Sequence, residues 1–321
     1  MTAAIKPRAL KKGSVVALLA PSSRPPSPVE VNRARALVEK MGFKVVVGKH
    51  VLEAHGYMAG TDAARLADLN EAIEDDSVEG IFMLCGGYGA LRLLPDINYR
   101  QLSKNPKVIV GSGDCTAILL AVHKMTGGMV VFYGPNLDEV VDKRGFELLK
   151  DAVCTRSSLP AIEPNFDFNS PEHHLKSYCH SSIDEDVEGV LLGGNLTSLV
   201  SLMGTAYQIE TESKLLFLND NKERNDILDR WLTNLTVCGA MQAAAAVIYG
   251  EFHDCYQRGA YSMHSIYELI VERMERLQSP YAVGFPLGEG GRTSVLPIGI
   301  RARLGKNNAG LTFLEPAVAS D

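Results

Sequence analysis

Long apolar runs are the first thing missing from this chain of 321 residues. No stretch reaches the roughly 18 uninterrupted apolar residues needed to cross a bilayer. The run from Val15 to Ala20 follows a basic N-terminus (Lys6, Arg8, Lys11, Lys12) but is too short for a signal segment and ends in Pro21. It reads as a buried first strand, and the protein as cytoplasmic. Cationic excess is missing too: the net charge is −6, which argues against a nucleic-acid partner or an anionic membrane surface. The six cysteines (Cys85, Cys115, Cys154, Cys179, Cys238, Cys255) include no C-x-x-C pair. In a chain of this size without an export signal they read as free thiols. No Gly-x-Gly-x-x-Gly follows the first strand and no Walker pattern occurs, so no cofactor is expected. Internal repeats and low-complexity tracts are also absent.

What is present is ordinary globular material, 46% hydrophobic and 22% charged, in a length that suggests two domains. Ser14–Ala20, Phe43–Val47, Ile81–Leu84, Lys107–Val110 and Met129–Phe132 are short, apolar and mostly β-branched, as strands covered on both faces are. Between them lie helical stripes: Val31 to Met41, ended by Gly42; Thr61 to Ile73; and Thr116 to Met125, ended by Gly127–Gly128. This alternation implies a parallel open sheet. From Asp151 to Glu188 the pattern weakens around Pro160, Pro164 and Pro171. It resumes with expected strands at Gly189–Leu192, Lys214–Leu218, Ala243–Tyr249, Tyr281–Phe285 and Ser294–Leu304. Helices are expected around Trp231 and over Ile266–Leu277. The expected division is an α/β domain over 1–150, a crossover over 151–185 and a smaller mixed β/α domain over 186–321.

Four segments say more than composition does: Ala20-Pro21-Ser22-Ser23; Gly56-Tyr57-Met58-Ala59-Gly60-Thr61-Asp62 with Arg65, Asp68 and Asn70; Cys85-Gly86-Gly87-Tyr88-Gly89; and Gly111-Ser112-Gly113-Asp114-Cys115-Thr116. A strand that passes through a glycine turn into a helix leaves N–H groups pointing outward, where an anion or an oxyanion can bind. The plainer reading is that such glycines only permit tight turns.

In this order, the segments resemble the LD-carboxypeptidase and microcin C immunity family. The resemblance continues through Gly193-Gly194-Asn195-Leu196, Leu216-Phe217-Leu218-Asn219-Asp220, Gly284-Phe285-Pro286-Leu287-Gly288-Glu289 and Leu296-Pro297-Ile298-Gly299. It implies an LD-carboxypeptidase-like fold, a site between the two domains, a homodimer, and substrates that are peptide-like with a free carboxylate. It also implies a Ser-Glu-His triad, which this chain lacks. The serine position is Gly113, the glutamate position Asn219 and the histidine position Glu289. The arginine usual before Gly-Gly-Tyr-Gly is Cys85, and a histidine usual after the fifth strand is Tyr133. Gly113 has no oxygen to attack a carbonyl, and neither Asn219 nor Glu289 can do its counterpart's work.

Two readings of such a site stay open. In one it is rebuilt for acid–base chemistry on a small peptide-like, carboxylate or amide metabolite, by cyclisation, isomerisation, elimination or cleavage without a triad. Such a role would suit a biosynthetic pathway. Glu289, Asp114, Tyr88, Tyr133, Cys85 and Cys115 are then the candidates for chemistry. Gly86, Gly87, Ser112, Gly113, Asn195 and Asn219 shape the ligand site. In the other the chain is a pseudoenzyme that binds a peptide-like ligand. The ordinary alternatives are that Cys85 and Cys115 fill space and that Glu289 is a surface carboxylate. A residual hydrolase using Ser112 is a third possibility, for which no partner histidine is evident. His173, His174, His180 and Cys179 read as a polar loop, and no metal site is expected.

Overall fold

Strands apolar on both faces must be covered on both faces, and the chain meets that demand by interleaving helices with two sheets. The structure, a computed structural model, describes residues 4–137, 141, 143–164, 181–255, 265–288 and 295–319. The first half runs β1 (Val15–Leu19), α1 (Pro28–Lys40), β2 (Lys44–Val47), α2 (Asp62–Glu74), β3 (Val78–Met83), α3 (Tyr99–Lys104), β4 (Val108–Gly111), α4 (Thr116–Met125), β5 (Val131–Tyr133) and α5 (Lys143–Cys154). The second half runs β6 (Val187–Asn195), α6 (Leu196–Val200), β7 (Lys214–Asn221), α7 (Asn225–Val237), α8 (Ala240–Ala243) and β8 (Ala246–His253). It ends with α9 (Ile266–Leu277), β9 (Tyr281–Val283), β10 (Leu296–Ile298), β11 (Arg301–Leu304) and β12 (Leu311–Phe313). The two-domain α/β expectation stands, with a parallel-rich first sheet and a mixed second one.

Local chemistry fixes several helix starts. The Thr61 hydroxyl accepts from Ala64 N–H at the start of α2. Ser265 and Glu268 form a reciprocal capping box at the start of α9. Five strands of the first sheet are parallel, in the order β5-β4-β3-β1-β2. The chain leaves β1 toward β2 on one side and returns to β3 on the other. Connections therefore diverge beyond the carboxyl ends of β1 and β3, which opens a crevice there. The second sheet, β12-β11-β6-β7-β8-β9, is parallel from β6 to β9.

Two sequence expectations shift. Ser294–Leu304 is not one strand, because the chain turns at Gly299 with φ of +99°. β10 pairs antiparallel with β5 at the edge of the first sheet, whereas β11 pairs with β6 in the second. Pro297 is tolerated in β10 because that strand is an edge. The strand expected from Ala243 begins at Ala246, after the short α8.

Close approach of backbone explains the paired glycines at the end of β6. A Cβ on Gly193 would stand 1.9 Å from the Phe217 carbonyl oxygen, and φ there is +128°. Gly193→Ala should therefore cost about 3 kcal/mol or more, with both strain and overlap contributing. Gly204→Ala, left-handed but in open space, should cost about 1 kcal/mol. Urea midpoints check this, and equal shifts for the two variants would refute the close-approach argument.

Candidate active site

The crevice beyond β1 and β3 is a cleft of about 500 Å³ whose walls come from both halves of the chain. Its floor is the turn between β4 and α4. Gly113 sits there with φ of +56°, the left-handed conformation of a sharp strand-to-helix elbow. Hydrogen bonds from the second half hold the elbow. Ser198 Oγ donates to the Gly113 carbonyl at 3.1 Å, and Asn195 N–H donates to Thr116 Oγ1 at 3.1 Å. Gly194 must be glycine for this contact, since a Cβ would meet the Thr116 side chain at 2.6 Å.

The loops after β1 and β3 form the opposite wall and are laced together. Ser23 N–H donates to the Gly86 carbonyl at 3.2 Å, Cys85 Sγ to the Ser23 carbonyl at 2.8 Å, and Tyr88 N–H to Ser23 Oγ at 3.2 Å. A Cβ on Gly87 would overlap Ser23 Oγ at 2.1 Å, and one on Gly86 would stand 3.5 Å from the Asp114 amide nitrogen. Two charged side chains clamp the loops from behind. Arg65 donates to the Pro21 carbonyl and, at 2.9 Å, to the Gly89 carbonyl. Asp114 accepts from Ser22 Oγ at 2.7 Å and from Ala90 N–H at 2.8 Å.

Two carboxylates of the cleft are desolvated, Asp220 being buried and Asp114 half-buried. Burial pushes Asp114 above the usual 3.8, against the pull of the Ala90 and Ser22 hydrogen bonds. Burial likewise raises Asp220, although it accepts from Thr197 Oγ1 at 2.8 Å, Thr197 N–H at 3.0 Å, Asn195 Nδ2 at 3.0 Å and Asn221 N–H at 2.8 Å. Cations stand only at the rim: Arg24 and Lys222 are exposed lining residues. Lys222 is held at φ of +59° while its N–H donates to the His253 carbonyl at 2.8 Å.

The candidates read from the sequence fall into groups. Cys85, Gly86, Gly87, Tyr88, Gly113, Asp114 and Asn195 line the cleft together. Tyr88 is half exposed at the mouth, edge-on to Tyr57 with ring centroids 5.2 Å apart. Three others stand behind the wall. Cys115 is fully buried, with Sγ 3.6 Å from Ser22 Oγ and 3.4 Å from the Cys85 carbonyl, a position that favours the space-filling reading over the nucleophile. Tyr133 is also fully buried, and its hydroxyl donates to Asn219 Oδ1 at 2.9 Å. Ser112 is buried as well and donates its hydroxyl to Asn136 Oδ1 at 2.8 Å, and among the described residues no imidazole is its partner. Glu289, like His173, His174, Cys179 and His180, lies outside the described residues.

Sequence reasoning passed over Asp220, Asn136, Arg24 and Lys222. Asp220 was within reach, since it closes the quoted Leu-Phe-Leu-Asn-Asp segment. Asn219 carries a further signal: it is fully buried, and its Nδ2 has no hydrogen-bond partner among the described residues. That nitrogen lies 3.5 Å from where a Gly288 Cβ would be. Glu251, a buried carboxylate on β8, flanks the same spot, its Cβ 2.9 Å from that position. No histidine among the described residues lines the cleft, and these residues contain no cluster able to hold a metal ion. No described helix is long and apolar enough to cross a membrane.

A strand–elbow–helix turn at the meeting of two α/β sheets is the frame of a hydrolase-type site, and Gly113 stands in that turn. The chain belongs to the LD-carboxypeptidase family: its N-terminal domain model matches residues 16–134 and its C-terminal domain model residues 188–304. Among its relatives, a probable murein peptide carboxypeptidase of Bacillus subtilis (strain 168) is 33% identical over 93% of this chain and 91% of that protein. The microcin C7 self-immunity protein MccF of Escherichia coli is 26% identical over 90% of this chain and 89% of its own. The fold matches that of MccF in complex with glutamyl sulfamoyl guanosine, with a TM-score of 0.84 and 22% identity over 98% of this chain and 100% of the other.

The raised carboxylates set a pH dependence. Above 3.8 the unfolded chain releases the Asp220 proton while the folded chain still holds it. Stability from this group is therefore complete below 3.8 and is lost as pH rises through the raised folded value. As pH rises from 3.8 through the raised folded value, the Tm of the wild type should fall relative to that of Asp220→Asn. A flat difference, or one moving the other way, would show that burial does not destabilise this carboxylate.

Proposed function

We propose that this protein is a repurposed member of its family, acting on a small peptide-like, carboxylate- or amide-bearing metabolite by acid–base chemistry and not by serine attack. The observation that carries the proposal is the elbow. Its backbone keeps the left-handed turn at Gly113 and the hydrogen bonds from Ser198 and Asn195, while no side chain is there to attack. Ser112 does not substitute for it, because its hydroxyl is buried against Asn136. A carbonyl can sit over Gly113, close to the Asp114 amide at the entry to α4, where N–H dipoles favour developing negative charge. The ligand's own anionic end is best placed toward Arg24 and Lys222, away from the Asp114 and Asp220 carboxyls. MccF binding a sulfamoyl nucleotide supports a ligand of that general size and polarity.

In this reading Glu289 moves the proton. It follows Gly288 in the sequence, near which the buried Asn219 amide has no acceptor among the described residues. The protein works in the cytoplasm as a homodimer, without a metal or other cofactor. A second reading, a binding protein without turnover, is favoured by one observation: Asp220 already accepts four hydrogen bonds, as a structural carboxylate does.

A fluorophosphonate probe should leave the wild-type mass unchanged, and stoichiometric labelling at Ser112 would restore the hydrolase reading. Once a substrate is found, Glu289→Gln should lower kcat by about 100-fold or more with the fold intact. Unchanged turnover would remove Glu289 from the chemistry. A ligand that binds saturably in the cleft without product formation would favour the binding protein.

A further inference from the structure

The chain has a second cavity, larger than the cleft, that the family reading does not use. It has a volume of about 600 Å³ and lies at the other end of α4, where His123 and Lys124 meet the start of β7 at Lys214. That size is in the range of small-molecule sites.

The balance of charge in its wall is uneven. Lys6 is paired with Glu315 at 2.6 Å, and Arg301 with Glu188 at 2.8 Å. The first pair is internally neutral, whereas in the second Glu188 is shared with Arg303, from which it accepts at 2.7 Å. Lys124 donates its ammonium hydrogen to the Gln208 carbonyl, which satisfies a hydrogen bond but leaves the charge unbalanced. The Lys214 ammonium makes no hydrogen bond or ion pair among the described residues, although its side chain is partly buried. The remaining carboxylate of the wall, Glu210, is exposed.

His123 adds a fixed polar group. Its Nδ1 lies 3.0 Å from the Met129 carbonyl oxygen, which can only accept, so Nδ1 carries the hydrogen and Nε2 is left as an acceptor. Burial, with Lys214 nearby, holds its pKa below the usual 6.5, which keeps the ring neutral near pH 7. The ring lies close along Gly299, where a Cβ would stand 2.7 Å from it, so a glycine there leaves the imidazole its place. Leu192 and Ile209 contribute buried apolar surface to the same cavity.

We propose that this cavity is a binding site for a small amphipathic organic anion, a carboxylate, sulfonate or phosphate on an apolar body, with Lys214 and Lys124 holding the charged group against the apolar wall. The site is distinct from the cleft and does not depend on what the cleft does. The two lie at opposite ends of α4, whose Ala117 lines the cleft and whose Lys124 lines this cavity.

The test uses the full chain and 8-anilinonaphthalene-1-sulfonate, an apolar anion whose fluorescence rises on binding. Wild type should bind one probe saturably. Lys214→Glu should weaken binding by at least about 10-fold, a loss of roughly 1.4 kcal/mol. Lys124→Gln should weaken it as well, and Lys222→Gln, a change at the cleft rim, should leave it unchanged. Circular dichroism establishes that each variant is folded. Equal affinity for wild type and Lys214→Glu would overturn the assignment, as would loss of binding in Lys222→Gln. Absence of saturable binding to the wild type would overturn it too.

Discussion

The site depends on one junction, where the second sheet grips the β4–α4 elbow of the first. Asn195 and Ser198, at the end of β6 and the start of α6, donate to Thr116 and Gly113. The glycines before them let the backbones come that close. Tyr133 of β5 reaches across to Asn219 of β7, and β10 carries the second half back onto the edge of the first sheet. These contacts bring residues from distant parts of the chain to a single cleft. A turn held in the left-handed region also costs energy that its surroundings must offset. Here residue 113 is a glycine, so the turn carries little of that strain.

Around the junction the described electrostatics are those of desolvated carboxyls below a cationic rim. A serine hydrolase needs a hydroxyl, an imidazole and a carboxylate in hydrogen-bonded series. The cleft holds instead two desolvated carboxyls, Asp114 and Asp220, a rim with Arg24 and Lys222, and a thiol at Cys85 committed to the Ser23 carbonyl. Asp114 also closes the loops after β1 and β3, so its charge serves the shape of the site. Asp220 does the same for the start of α6 through Thr197. Such groups preorganise a pocket for a ligand without attacking it, which suits both acid–base catalysis from another residue and plain binding.

Much of this was legible in the sequence where a local rule spoke clearly. Ile266–Leu277 is helical as expected because Ser265 and Glu268 cap a strongly periodic segment, and Thr61 starts α2 for the same reason. The apolar β-branched runs became the central strands. Other elements gave no such signal. β12 has three residues and α3 six, too few for a period to emerge. α5 opens with Lys143, Arg144 and Gly145, and its apolar stripe runs on to Cys154, inside the segment read as crossover. The break at Gly299 depends on which sheet each flanking strand joins, which is a tertiary matter. In the site, the glycine turns were readable from spacing. The roles of Asn136 and Asp220 were not, because they follow from pairings across 24 and 25 residues.

The central claim is that the hydrolase frame survives here and lacks only the side chains for attack. Intact-mass measurement of fluorophosphonate labelling on the variant Gly113→Ser, Asn219→Glu, Glu289→His tests it most directly. The account predicts one adduct per chain at residue 113 in the triple variant and none in Gly113→Ser alone. A folded triple variant that takes up no probe, or a single variant labelled as readily as the triple, would contradict it.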